Sequence, residues 1–433
     1  MTRRVGVTGI GLVTGLGVGT DATWKAILEG RSAVAPLEGF STDGLTSRIG
    51  SQVGTLDPEA YGAARRNTRT MTPGDRFAYV AATLALRDAG FSAADDLPRA
   101  YPDSDRLALY AAGDKEVGRI TGFEEAVKAA RKPDGEVDVR VFAEVGMNTV
   151  YPLIYVEGLP GASLFYISQT HKMTGANTYF SGSSDTGLIA IGTAFRTIRR
   201  GEADLAIAGA YDDGLTPLSM NRFDSFGILT YRNDLGPAAC RPYDRDRTGS
   251  VMGEGAVFFV LEEMEAAKAR SARVYAEVCG YGAAFDGYRL VTPDPEGGGT
   301  RRAIEAALKD GAVAADDVGY VATHGSATLL GDVTETAALK AAFGEHARRL
   351  AASTVKPATG HMTAAAGPLS LATAVLAIHD GVLPPTLNLA HPDPACDLDW
   401  VPLEARSQRV RFAVAVGRGF EGTAAAIAAR AVQ

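Results

Sequence analysis

Asn177-Thr178-Tyr179-Phe180-Ser181-Gly182-Ser183-Ser184-Asp185-Thr186-Gly187-Leu188 carries the pattern on which the fold turns. Asn177 to Phe180 reads as a short strand and Ser181-Gly182-Ser183-Ser184 as a tight turn. A helix follows from about Thr186 to Arg200, with Leu188, Ile191, Phe195 and Ile198 on one face. Arg199 and Arg200 complement the negative end of its dipole, and Gly201 stops it. Leu205 to Gly209 is the next buried strand, so a strand–turn–helix–strand unit forms the centre of the N-terminal half.

Working outward, Val5 to Gly11 reads as a buried strand entering a glycine-rich turn. Its glycines at 9, 11 and 15 lack the G-x-G-x-x-G spacing that brings backbone amides to a pyrophosphate. An amphipathic helix is expected around Ala78 to Asp88, ended by Gly90, and the polar stretch Lys115 to Asp138 is expected at the surface. Val150 to Tyr166 is apolar and aromatic, which makes it core in a monomer or interface in a dimer. Ala256 to Leu261 is a buried strand, and a polar connection begins at Glu262 to Arg270. The second half repeats the logic. A helix is expected at Arg301 to Lys309, a strand at Val318 to Thr323 ending on His324, and a helix at Glu335 to Phe343. A turn follows at Lys356 to His361, then a long helix from Thr363 to His379 and a closing strand near Val410 to Val416. Strands alternating with helices, twice over, predict an α/β protein of two similar halves, divided at 1–262 and 263–433.

The 433 residues and 46% hydrophobic content suffice for a large core with an acyl-sized cavity. A net charge of -8 argues against a nucleic-acid or anionic-membrane surface. Cys240, Cys279 and Cys396 build neither a disulfide framework nor a zinc motif, and read as buried small apolar residues; no metal is expected. The glycine-rich N-terminal run lacks a signal-peptide cleavage site, and no apolar segment reaches the roughly 18 residues that span a bilayer, so a cytoplasmic protein is expected.

Three polar constellations sit at strand ends or turns: Gly182-Ser183-Ser184-Asp185-Thr186-Gly187, Thr323-His324-Gly325-Ser326 and Lys356-Pro357-Ala358-Thr359-Gly360-His361. Each alone is weak, because histidines after strands are commonly structural and loop lysines commonly solvated. Together, and in this order, they resemble the β-ketoacyl synthases. Further matches are Arg4 to Gly11, Arg241-Pro242-Tyr243-Asp244-Arg245-Asp246-Arg247, Val251-Met252-Gly253-Glu254-Gly255-Ala256, Pro293 to Gly297, Leu383-Pro384-Pro385-Thr386 and Cys396 to Pro402. The resemblance spans nearly the whole chain and implies a thiolase-like, duplicated αβαβα layered fold.

In that family a cysteine at a buried helix N-terminus takes an acyl chain from a carrier protein. Two histidines bind the malonyl thioester and favour loss of carbon dioxide. By resemblance the histidines are His324 and His361, Lys356 orients the site, and Glu335 is its buried ion-pair partner. Phe420 is implied as the gate, with Thr359 and Ser326 also against the substrate. No cofactor is implied beyond the phosphopantetheine of acyl carrier protein.

The nucleophile position holds Ser184. A serine hydroxyl is far less acidic than a thiol, and a helix dipole does not ionise it, so it needs a general base. Asp185 beside it reads as a first-turn acid facing the dipole. The family's Gly-Phe-Gly-Gly loop becomes Gly419-Phe420-Glu421-Gly422, where Glu421 replaces a glycine that often takes positive φ; a change of loop shape or mobility is expected. These departures imply a subunit of the chain-length-factor type, paired with a cysteine-bearing ketosynthase in a heterodimer that works on acyl carrier protein. The alternatives are altered chemistry, either serine acyl transfer through Ser184 or malonyl-thioester decarboxylation, and a purely structural scaffold. A serine hydrolase is set aside because G-x-S-x-G is broken: Thr186 stands where its last glycine belongs.

Overall fold

A computed structural model describes residues 2–93, 95–115 and 120–432. In chain order the main strands are β1 (Val5–Thr14), β2 (Leu107–Gly113), β3 (Asn177–Ser181), β4 (Leu205–Asp212), β5 (Gly255–Glu263), β6 (Ala276–Phe285), β7 (Val318–Ala322), β8 (Ala351–Ser353), β9 (Phe412–Arg418) and β10 (Thr423–Arg430). They hydrogen-bond in the order β8-β7-β9-β10-β6-β1-β5-β4-β2-β3, with Gly17–Val18 folding back on β1 as an eleventh strand.

That order is a duplication. Outward from the centre, the first half runs β1-β5-β4-β2-β3 and the second β6-β10-β9-β7-β8. The pairing senses match as well. β1–β5 and β6–β10 are antiparallel, as are β5–β4 and β10–β9. β4–β2 and β9–β7 are parallel, as are β2–β3 and β7–β8. The halves join where β1 meets β6 antiparallel. The chain thus makes the same five-stranded unit twice, although no residue-level repeat is visible in it.

Five helices position the site: α1 (Pro73–Asp88), α2 (Thr186–Arg199), α3 (Gly298–Asp310), α4 (Leu329–Phe343) and α5 (Ala366–Asp380). Alternation along the strands assigns the layers. Leu107, Leu109 and Ala111 of β2 join an outer cluster with α1, whereas Ala108, Tyr110 and Ala112 face an inner one. On β9, Phe412, Val414 and Val416 face outward toward α3 and α4, and Ala413 and Ala415 inward. The inner cluster holds α2 and α5 between the two sheet halves, giving the five layers α, β, α, β, α. Alanine dominates the inward positions, so both central helices approach the strands closely. Along α5 the residues from Ala366 to Ile378 are buried, which explains its all-round apolar sequence.

Several boundaries move from their sequence expectations. α1 begins at Pro73, where Thr72 and Asp75 form a reciprocal capping box. The 262–270 connection contains the last strand residues of β5 and a helix, Met264–Ala269. Lys115 is buried rather than solvated, because it pairs with Asp75 at 2.5 Å; residues 116–119 of that stretch lie outside the described residues. Val150 to Tyr166 divides: Ile154 and Tyr166 are core, whereas Tyr155 is 84% exposed and Leu159 and Phe165 are exposed beside it. Of these, Phe165 lines a surface cavity with Asn177 of β3, the edge strand of the sheet, whose Asn177, Thr178 and Ser181 are also exposed.

Candidate active site

Ser184 sits in the turn between β3 and α2, 1% exposed. Two glycines clasp its backbone. A Cβ on Gly417, at the end of β9, would lie 2.4 Å from the Ser184 carbonyl oxygen, and one on Gly367, in the first turn of α5, 2.5 Å from it. Real Cβ atoms do not approach so closely, so both positions need glycine. Asp185 is the N-cap residue of α2, yet its side chain caps nothing. It is buried rather than turned to solvent, and its Oδ1 has no partner among the described residues. Burial pushes its pKa up, while a hydrogen bond with Thr423 pulls the other way.

His324 follows β7 and is fixed through its backbone. Its N–H donates to Glu335 Oε1 at 2.7 Å, and Gly325 N–H donates to Glu335 Oε2 at 2.8 Å. The Tyr243 hydroxyl donates to the same carboxylate at 2.8 Å, and its ring stacks on Trp400 at 3.6 Å. The buried Lys356 ammonium donates to the His324 carbonyl. Glu335 is therefore not a contact ion-pair partner of Lys356. It satisfies two backbone donors, and acts on the lysine through space. Burial pushes Lys356 down to about 8, against the pull of Glu335.

His361 closes the site from the loop before α5. Its Nδ1 accepts the Thr363 N–H at 3.1 Å, and its Nε2 lies 3.3 Å from Ser184 Oγ. Burial holds both histidines well below their usual pKa, with the Lys356 charge adding to the effect. A neutral imidazole has one N–H, and Nδ1 is already an acceptor, so the proton is on Nε2. His361 therefore donates to the serine oxygen and cannot take its proton. Thr363 makes this donor arrangement at φ +31°, a conformation costing about 1–3 kcal/mol for a non-glycine residue. The two imidazole rings stand 5.3 Å apart and nearly perpendicular.

The histidines line one chamber with Ser326, Glu335, Asp286, Arg418 and Phe420. Arg418 donates to Asp286 at 3.1 Å, an ion pair at the chamber wall that sequence reasoning missed. A second chamber, of about 430 Å³, lies beyond Phe420 and is lined by Asp114, Arg222, Phe223, Phe226, Leu290 and Glu421. Asp114 and Arg222 form an ion pair at 2.8 Å. Phe420 lines both chambers and its ring faces His361, Phe223 and Phe226. Thr359 does not reach the substrate space: its hydroxyl donates to the Val355 and Gly360 carbonyls, and the residue is fully buried. Ser184 and the three free cysteines line neither chamber. Glu421 has an ordinary φ, and the left-handed turn of this loop falls at Gly422, at φ +91°.

A duplicated five-stranded unit with two histidines and a lysine gathered at a helix N-terminus defines a thiolase-like fold. Residues 2–267 match the N-terminal domain of beta-ketoacyl synthase and residues 275–390 its C-terminal domain. The chain is 37% identical over 429 residues to a putative polyketide beta-ketoacyl synthase 1 of Streptomyces cyaneus, covering 99% of this chain and 98% of that one. It is 34% identical over 421 residues to 3-oxoacyl-[acyl-carrier-protein] synthase 2 of Coxiella burnetii, covering 97% of each. Among solved structures, the ishigamide ketosynthase/chain length factor is similar with a TM-score of 0.87 at 29% identity over the whole of both chains. A type II PKS ketosynthase, in complex with its acyl-carrier protein and bound to the hexaketide, gives 0.85 at 30% identity, again over the whole of both chains. This chain belongs to the β-ketoacyl synthase family. No helix among the described residues is long and apolar enough to cross a membrane.

Proposed function

We propose that the chain is the non-nucleophilic member of a type II polyketide ketosynthase pair, a chain-length-factor-like subunit. It joins a cysteine-bearing ketosynthase and helps enclose a growing chain carried on the phosphopantetheine of acyl carrier protein. The observation that carries the reading is the Thr363 N–H bonded to His361 Nδ1, which leaves the ring's proton on the Nε2 that faces Ser184. Its neighbour His361 is a donor, and the hydroxyl lies in neither chamber. Without a base a serine is a poor acyl acceptor. The partner surface is supplied by β3 at the sheet edge, with Phe165 exposed beside it, and by the exposed Tyr155 and Leu159 of the preceding segment. An unpaired edge with apolar neighbours favours burial against another subunit.

One observation favours a second reading. His324 and His361 line an intact chamber above the buried Lys356 and Glu335. Donors aimed at a thioester oxygen stabilise the enolate that forms as the malonyl carboxylate leaves as carbon dioxide. Uptake of one proton by that carbanion gives the acetyl thioester, with no covalent acyl-enzyme. Intact-mass spectrometry with acyl- and malonyl-carrier protein, alone and with a co-expressed cysteine-bearing partner, tests both. The pair reading expects no adduct on the isolated chain and acylation of the partner's cysteine. Conversion of malonyl- to acetyl-carrier protein by the isolated chain supports the second reading, and a stable adduct on Ser184 overturns both.

A further inference from the structure

Phe420 separates the histidine chamber from the one lined by Asp114 and Arg222, and it is held there by its neighbours. Its N–H donates to Ser183 Oγ at 3.0 Å, and that hydroxyl donates onward to Glu421 Oε2 at 3.1 Å. Its carbonyl accepts the Val291 N–H at 2.9 Å. The ring packs on Phe223 at 6.0 Å and Phe226 at 5.7 Å, with His361 on its other side at 6.4 Å. Ser183 is the residue before Ser184 and is 7% exposed, so its hydroxyl has little access to water and its two hydrogen bonds are not readily replaced. Glu421 is exposed at the surface, where another molecule can compete for its carboxylate.

We propose that Ser183 and Glu421 form a latch that holds Phe420 as a partition between the two chambers. The hydroxyl links the turn after β3 to the loop after β9, 237 positions apart in sequence. Glycines at 419 and 422 flank the latched pair, so the segment swings about them once Glu421 lets go of Ser183. Opening joins the chambers and uncovers position 184. Glu421 and Ser183 are positioning residues, acting through Phe420, and the latch stands whether the chain pairs with a catalytic partner or decarboxylates alone.

The probe is Ser184→Cys, alkylated with iodoacetamide and followed by peptide-resolved mass spectrometry so that Cys240, Cys279 and Cys396 are read separately. The latch predicts slow labelling of the introduced thiol. Adding Glu421→Gly or Ser183→Ala raises the rate tenfold or more, whereas adding Glu421→Gln leaves it low because the amide oxygen still accepts from Ser183. Equal rates in all four proteins overturn the latch, and so does a Gln variant that labels as fast as the Gly variant. Should Glu421→Gly melt early, Ser183→Ala removes a single oxygen and decides alone. In the otherwise unchanged chain, Ser183→Ala also speeds hydrogen exchange at the Phe420 amide by tenfold or more; unchanged exchange overturns the proposal.

Discussion

His361 Nε2 stands 3.3 Å from Ser184 Oγ and is the donor of that contact, because Nδ1 of the same ring accepts the Thr363 N–H. A serine–histidine pair at this distance suggests an activated nucleophile. Here the polarity is reversed: the ring offers its proton, and the serine oxygen is left with a donor and no base. Substrate carbonyls, which need donors, suit such a ring; nucleophile hydroxyls do not.

Ser184→Ala is therefore expected to change product formation by the assembled pair by less than twofold. A fall of two orders of magnitude, measured with the reconstituted complex, would falsify the assignment of Ser184 as a non-nucleophile. His361→Ala is expected to lower any malonyl-carrier-protein decarboxylation by roughly 100-fold, the scale of losing one donor at a developing oxyanion.

The buried histidines set a pH dependence. His324 and His361 are held below the usual value, so below pH ~6.5 the unfolded chain binds protons that the folded chain does not. Each costs about 1.4 kcal/mol of stability per pH unit as the pH falls from there toward its folded pKa. Glu254 and Asp332, both raised to about 7 by burial, act oppositely: below that pH the folded chain holds the extra proton. The measurement is thus a difference. Urea unfolding at pH 7 and pH 5.5 is expected to show a smaller acid-side loss for His324→Asn/His361→Asn than for the unchanged chain. Parallel pH dependences would mean that neither histidine is buried neutral.

If the exposed apolar segment that includes Tyr155 and Leu159 is part of the partner surface, Tyr155→Glu with Leu159→Glu weakens co-purification with the cysteine-bearing partner at least tenfold. Both side chains are exposed in the isolated chain, at 84% and 56%, so its melting temperature stays within about a degree. Full pairing by the double variant places the interface elsewhere.

Gly417→Ala drives a methyl to 2.4 Å from the Ser184 carbonyl oxygen and is expected to cost about 1–3 kcal/mol. Gly54→Ala meets no atom within 4 Å and serves as the control. Equal melting temperatures for the two variants would show that the Ser184 turn yields without strain.

Much of the scaffold was legible because its signals are local. The apolar face of α2 and the strand–turn–helix unit around Ser184 follow from spacing within a few residues. Each half alternates strands and helices closely enough to show a duplicated α/β fold. Reading failed where partners are distant in sequence. Lys115 looked solvated because Asp75, which buries it, is 40 positions away. Thr359 failed for a different reason: it looked like a substrate contact by resemblance, yet its hydroxyl is used by carbonyls of its own turn, at Val355 and Gly360.

The sequence by itself determined that a serine stands at 184 in the turn before a buried helix, that His324, His361 and Lys356 stand at strand ends and turns, and that a carboxylate, Glu421, stands between Phe420 and Gly422. Those are matters of residue identity and order. Only the tertiary structure decided what these groups do to each other. Whether His361 gives or takes a proton depends on which ring nitrogen meets the Thr363 N–H. Whether Glu335 serves the lysine or the His324 backbone depends on the few ångströms between α4 and the end of β7. Whether Glu421 reshapes the loop or latches it depends on Ser183, 238 positions earlier. Hydrogen bonds are decided by distance and lone-pair direction, and both are set only once separate strands and helices pack.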